Sequence, residues 1–180
     1  MTIHGTMVRL RAIERGDLPA FVRWLNDPDV IRYLQRYWPL SLAEEERWFE
    51  SKVQSASDRL FAVQTLDGEL IGSIGLHDLD WKERRATLGI VLGEKDFWGQ
   101  GYGTDAITAV LRFAFDALNL HRVHLSVYAY NQRAIRCYEK CGFELEGRLR
   151  DSHYYDGQYH DELVMGILDT DFRTKDQPRQ

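Results

Sequence analysis

Cysteine is scarce in this sequence: Cys137 and Cys141 are the only two in 180 residues, too few for a disulfide framework. They lie four positions apart in a stretch that reads as helix, so they share a face. No third ligand stands nearby to complete a metal site, and they read as two reduced thiols on or under a helix. The histidines are scattered. Their one close pair, His121 and His124, falls where a strand begins, so the two rings should point to opposite faces. No metal centre is expected. Dense lysine and arginine runs are also missing and the net charge is −5, which leaves no electrostatic footprint for nucleic acid or an anionic membrane. There is no apolar run long enough to span a bilayer, and Met1 to Met7 lacks the basic flank and apolar stretch of a signal peptide. The expected location is the cytoplasm. The length suits one core, expected over residues 1–172, with a polar, mobile tail over 173–180.

What is present alternates between strand and helix signals. Val8 to Ala12 (VRLRA) has the period of a half-buried strand, and Asp17 opens an amphipathic run, LPAFVRWLN. Asn26-Asp27-Pro28 stops that helix and starts a shorter one through Val30, Ile31 and Leu34. Ser41 and Glu44 form a capping box for a third, reaching about Val53. Asp67-Gly68 joins strands Leu60 to Thr65 and Glu69 to His77 as a hairpin, and Ala86 to Leu92 extends the meander. A helix is predicted from Thr104 to about Asn119, a strand over Arg122 to Ala129, and a helix capped by Asn131 and ended by Gly142. Asp156-Gly157 then turns Leu145 to Tyr155 into Tyr159 to Leu168.

The chemistry concentrates in GIVLGEKDFWGQGYGT, Gly89 to Thr104. An apolar strand runs into a glycine-rich turn and directly into a helix. Gly99, Gly101 and Gly103 let the backbone approach a ligand closely, and the helix adds the positive end of its dipole, an arrangement suited to a pyrophosphate. A dinucleotide fold is the rival, but its fingerprint belongs near the first strand and wants an acidic residue about twenty positions on. Here the loop comes after an antiparallel meander, and Leu118 to His121 stand at that distance. A second constellation is VYAYNQRAIRCYEKCGF, Val127 to Phe143. Asn131 and Tyr138 lie two turns apart on one helical face, roughly 10 Å along the axis, and Ala134 between them is small enough to leave the face open.

Together these two segments resemble the acetyl-CoA-binding motifs of the GNAT superfamily. Within it the sequence is similar to the ribosomal-protein-alanine and spermidine N-acetyltransferase-like branch. Asn26-Asp27-Pro28, Phe97 to Gly103, Asn131 to Phe143 and Tyr155-Asp156-Gly157-Gln158-Tyr159 carry the likeness, which covers about residues 8 to 168. It implies an α+β acyl-CoA N-acyltransferase fold, a mixed and mostly antiparallel sheet flanked by helices. It further implies an enzyme moving an acetyl group from acetyl-CoA to a primary amine on a small molecule or peptide, by direct attack on the thioester. The resemblance would place the pantetheine arm against the backbone of Ile90, Val91 and Leu92. The pyrophosphate would lie in the loop Trp98, Gly99, Gln100, Gly101, Tyr102, Gly103 and Thr104, with Asn131, Ala134 and Tyr138 along the cofactor. Tyr138 is the candidate proton donor to the departing thiolate, and a homodimer is the candidate assembly.

Two positions depart from the family pattern. Trp98 stands where the phosphate loop often begins with Gln or Arg, although backbone amides still suffice. Thr87 stands where relatives often carry a Glu that takes the amine proton, which a threonine cannot do; His77, Asp78, His124 and Glu144 remain as candidate bases. This vacancy leaves a non-catalytic acyl-CoA sensor as the alternative. Trp24, Tyr33, Tyr37, Trp38 and Trp48 cluster in the early helices, as acceptor-pocket residues or as core. Polyamine acetyltransferases of this branch show an acidic pair just after the residues matching Ile31-Arg32-Tyr33; here Leu34, Gln35 and Arg36 follow. A long polyamine is therefore not the expected acceptor.

Overall fold

A computed structural model describes residues 1–176. One sheet organises them, with strand order β1-β2-β3-β4-β5-β6-β8-β7. Its strands are β1 (Ile3–His4), β2 (Val8–Ala12), β3 (Arg59–Thr65), β4 (Leu70–Asp80), β5 (Arg85–Leu92), β6 (Arg122–Tyr128), β7 (Glu144–Tyr155) and β8 (Gln158–Leu168). Every neighbouring pair is antiparallel except β5 and β6. Those two are parallel because α4 (Tyr102–Arg112) carries the chain back across the sheet between them. The α+β expectation holds.

The sheet separates two apolar layers. On one face α4 and α5 (Gln132–Cys141) pack on Val8, Leu10, Ile74, Leu76, Ala86, Leu88, Val123 and Leu125. On the other, α1 (Leu18–Trp24), α2 (Pro28–Ile31) and α3 (Leu42–Val53) build a smaller cluster around Leu18, Phe21, Trp24 and Val30, reached by Trp48, Val91 and Trp98. The alternation along β5 follows: Ala86 and Leu88 face α4, while Thr87, Gly89 and Val91 face α1 to α3.

Local signals act where the sequence places them. Ser41 and Glu44 form the reciprocal capping box, Asn131 accepts from the Ala134 amide at 3.2 Å, and Gly142 ends α5 at φ 104°. Asp156 and Gly157, at φ 51° and 79°, make the tight two-residue turn of the last hairpin. Other details differ. Asp67-Gly68 sits in a wider loop, because Thr65 N–H bonds to Glu69 and Gly68 N–H to Thr65, leaving Leu66 to Glu69 outside the ladder. The helix predicted to reach Asn119 is regular only to Arg112, and Phe113–Ala117 widens to a π turn. Strand β1 was too short to carry a periodic signal. The tail expected over 173–180 is helical through Asp176, in α6 (Asp169–Asp176); residues 177–180 lie outside the described residues.

Candidate active site

The sheet opens where β5 and β6 part. Their ladder holds only Arg85↔Arg122, Ala86↔Val123 and Thr87↔His124. Beyond it β5 stays with β4 up to Leu92, while β6 follows β8 to Tyr128. A wedge therefore opens above Thr87, with the inner backbone edge of Leu88 to Leu92 unpaired on that side. A cavity of about 1100 Å³ fills it, lined by Ile90, Val91, Leu92, Trp98, Gly99, Gly101, Gly103, Thr104, Asn131, Ala134 and Tyr138. An extended chain lying in the wedge would find backbone partners on β5, much as an added strand does.

The glycine loop forms the outer end of this slot. Gly101 is the N-cap of α4 at φ 97° and Gly99 lies at φ 75°, conformations that an L side chain adopts only under strain. Gly103 is needed for space rather than for dihedral freedom. A β-carbon there would stand 3.3 Å from Leu92 Cδ1 and 3.7 Å from Cys137 Sγ. The loop and helix start thus form a cradle that side chains would fill, as phosphate binding requires. Trp98, absent from the family's usual pattern, closes the loop back on the strand: its Nε1 donates to the Leu92 carbonyl at 2.8 Å.

Gln100 and Tyr102 do not line the cavity with their side chains. The Gln100 amide turns back to donate to the Asp96 carbonyl, and Tyr102 sits edge-on to Phe97 at 5.1 Å; only their backbone can serve the cradle. Asn131 lines the slot, yet its side-chain oxygen is committed to capping α5. Sequence reasoning passed over Arg133, Arg136 and Lys140, which bring positive charge from α5 to the cavity wall. Arg133 lies over the Trp98 ring at 3.9 Å. Their spacings of three and four residues along α5 were the available signal. The two cysteines share a face as expected and lean on α4, with Cys137 Sγ 3.3 Å from Thr104 Oγ1 and Cys141 Sγ 3.7 Å from the Thr104 carbonyl.

Tyr138 projects into the slot from the α5 side, packed edge-on to Phe143 at 5.8 Å. Burial pushes its phenol well above the usual tyrosine range, reinforced by the neighbouring cysteines. The proton is therefore present at neutral pH and available for donation.

The opposite wall belongs to α1 to α3 and to the same face of β4 and β5. Trp24, Tyr33 and Trp48 line it, whereas Tyr37 and Trp38 are largely exposed and lie outside. Glu45 is the unexpected member, only 4% exposed, its side chain making no hydrogen bond or ion pair with the described residues. Burial raises its pKa, opposed by the charge of Arg36. His77 also lines this wall, with Nδ1 3.1 Å from Asp58 Oδ1. Of the other candidate bases, His124 touches Thr87 across the ladder at 3.4 Å, and burial lowers its pKa. Glu144 pairs with Gly166 on the β7–β8 ribbon, outside the cavity lining.

Comparison with known proteins adds independent findings. The family model described as an acetyltransferase (GNAT) domain matches residues 8–144. Spermidine N(1)-acetyltransferase of Vibrio cholerae is 32% identical over 172 residues, covering 93% of this chain and 96% of the relative. The uncharacterized N-acetyltransferase YoaA of Bacillus subtilis is 37% identical over 163 residues, covering 88% and 92%. A crystal structure of the Vibrio cholerae spermidine N-acetyltransferase with CoA and spermine superposes with a TM-score of 0.87 at 30% identity, over 93% of this chain and 99% of that one.

Proposed function

The chain belongs to the GNAT acetyltransferase family and is an acetyl-CoA-dependent N-acetyltransferase; from that premise we propose how its residues divide the work. The acetyl donor lies in the wedge between β5 and β6. Its phosphates rest on the amides from Gln100 to Thr104, its pantetheine arm runs along Ile90 to Leu92, and its thioester points toward the vertex at Thr87. The acceptor is a compact primary amine that enters from the α3 side, and Tyr138 returns a proton to the departing sulfur. Residues 1–172 act as a single catalytic domain.

The observation that carries the acceptor reading is Glu45. A carboxylate so buried, with no hydrogen bond to its side chain and only the charge of Arg36 acting on it, is costly unless something completes it, and an ammonium group entering the cavity would do so. The positions following Tyr33 offer Gln35 and Arg36, and Arg36 lines the same cavity. A chain of several positive charges, such as the spermine bound to the Vibrio cholerae relative, would meet that guanidinium. One amine per acceptor fits one buried carboxylate better.

Transfer of isotope-labelled acetyl to a panel of peptides, amino sugars, amino acids and spermidine tests this. At least one single-amine class should exceed spermidine in kcat/KM, and Glu45→Gln should raise the amine KM about tenfold or more while leaving CoA affinity unchanged. Spermidine emerging as the best substrate would overturn the reading.

A further inference from the structure

Resting on the N-acetyltransferase reading, the geometry points to His77, oriented by Asp58, as the base that takes the proton from the attacking amine in place of the carboxylate missing at Thr87. His77 pairs directly across the β4–β5 ladder with Thr87, and Gly75 pairs with Gly89. All four therefore face the same side of the sheet, the side lined by α3. A Glu at 87 would present its carboxylate on this face; His77 supplies a nitrogen from the neighbouring strand instead.

Asp58 decides which nitrogen is free. Although burial pushes the other way, hydrogen bonds from Lys52, Ser55 and His77 hold its carboxyl at about 2. At neutral pH Asp58 is an acceptor only, so the proton of a neutral His77 must sit on Nδ1. The lone pair is then on Nε2. That atom lies over the two glycines, where β-carbons would stand 3.2 Å from it at Gly75 and 3.0 Å at Gly89. Side chains at either position would press on the imidazole. Their absence leaves Nε2 facing the cavity, and the His77 side chain is 30% exposed.

The topology brings the reacting atoms to this place. The phosphate cradle follows the C-terminal end of β5, so a pantetheine arm running back along Leu92, Val91 and Ile90 delivers its acyl end toward Gly89 and Thr87. An amine entering from α3 meets the carbonyl carbon from the His77 side. The entering ammonium gives one proton to Nε2 and attacks the carbonyl carbon as the neutral amine; as the C–S bond breaks, the Tyr138 phenol gives its proton to sulfur, and the surplus N–H proton of the adduct leaves to solvent. Amine and thioester thus become amide and thiol, and solvent resets His77 and Tyr138. Asp58 touches no substrate and acts as a positioning residue. The charged and titratable groups around the imidazole are Asp58 at Nδ1, Lys52 on the other oxygen of that carboxylate, Glu45 on the α3 wall of the cavity, and Asp78 and His124 toward the vertex.

Two measurements test this. In the unmodified protein, ¹⁵N NMR of the His77 imidazole should show Nδ1–H and an unprotonated Nε2 in the neutral form; Nε2–H with a bare Nδ1 would overturn the proposal whatever the activity. With an amine that the wild type acetylates, His77→Gln should lower kcat/KM about 10²-fold at neutral pH. The deficit should shrink as rising pH deprotonates the amine in solution, and CoA affinity should stay unchanged. Asp58→Asn, which can donate as well as accept, should weaken the Nδ1–H preference in the same ¹⁵N spectrum. A His77→Gln deficit that is absent, or constant with pH, would overturn the assignment. Failure of the N-acetyltransferase reading would look different: no amine turned over by wild type, with the tautomer still as stated.

Discussion

The Trp98 indole donates to the backbone carbonyl of Leu92 at 2.8 Å, so the residue that departs from the family's phosphate-loop pattern is the one that fastens the loop to the strand. Arg133 stacks on the same ring. One side chain thereby ties the loop to β5 and holds a cation over its ring at the cavity wall. Trp98→Phe keeps a ring for Arg133 but removes the donor. Loss of one such bond is worth about 1 kcal/mol, so calorimetry should show acetyl-CoA binding roughly fivefold weaker, with kcat unchanged at saturation.

Gly103 offers a cleaner test of the cradle than Gly101. Any substitution at Gly101 is strained by its positive φ, which would confuse lost binding with lost stability. Gly103→Val places methyl groups between Leu92 and Cys137 at the start of α4. It should weaken CoA much more than pantetheine analogues lacking the phosphates; equal losses for both ligands in calorimetry would count against a pyrophosphate at this point.

Tyr138→Phe removes only the hydroxyl. Loss of general acid catalysis predicts a kcat lower by about 10²-fold or more, with acetyl-CoA affinity little changed. The pH dependence has a definite sign. A donor must be protonated, and burial raises this phenol, so its protonated range extends upward. The wild-type rate should show no alkaline limb from Tyr138 below pH 10. Unchanged kcat in the phenylalanine variant would exclude the role.

Asp105, in the first turn of α4, accepts from the backbone amides of Thr6, Met7 and Val8 and from the Thr6 hydroxyl at 2.7–2.9 Å. Although burial opposes it, these bonds lower its pKa. A depressed carboxylate contributes stability above its unfolded pKa, near 4, and loses it as pH falls through the folded value. Asp105→Ala strands three amides and should cost roughly 2–4 kcal/mol in denaturant unfolding. The gap to wild type should be widest at neutral pH and narrow toward pH 3.

Much of this was legible in the sequence because its causes are local. The glycine turn, the Ser41 and Asn131 caps, the Gly142 stop and the Asp156-Gly157 turn each act within a few residues of themselves, and the structure places them as read. The two-turn spacing of Asn131 and Tyr138 is a property of any helix. What stayed hidden depends on register and on distance along the chain. His77 and Asp58 are 19 residues apart and meet only because β3 and β4 pair and α3 ends where it does. Glu45 reads as one more acid in the charged helix LAEEERWFESKV; its burial is set by which face of α3 turns toward α1 and the cavity. Trp98 looked like a deviation because its partner is a carbonyl, which no side-chain pattern displays.

The unpaired inner edge of β5 has a meaning for the protein's life as well as for its chemistry. An open row of amides and carbonyls in mid-sheet invites pairing with whatever extended chain is at hand, including that of another molecule. A ligand that lies along Ile90 to Leu92 would shield the edge while stabilising the native state by mass action. The fold should therefore resist unfolding and self-association better with acetyl-CoA bound than without it.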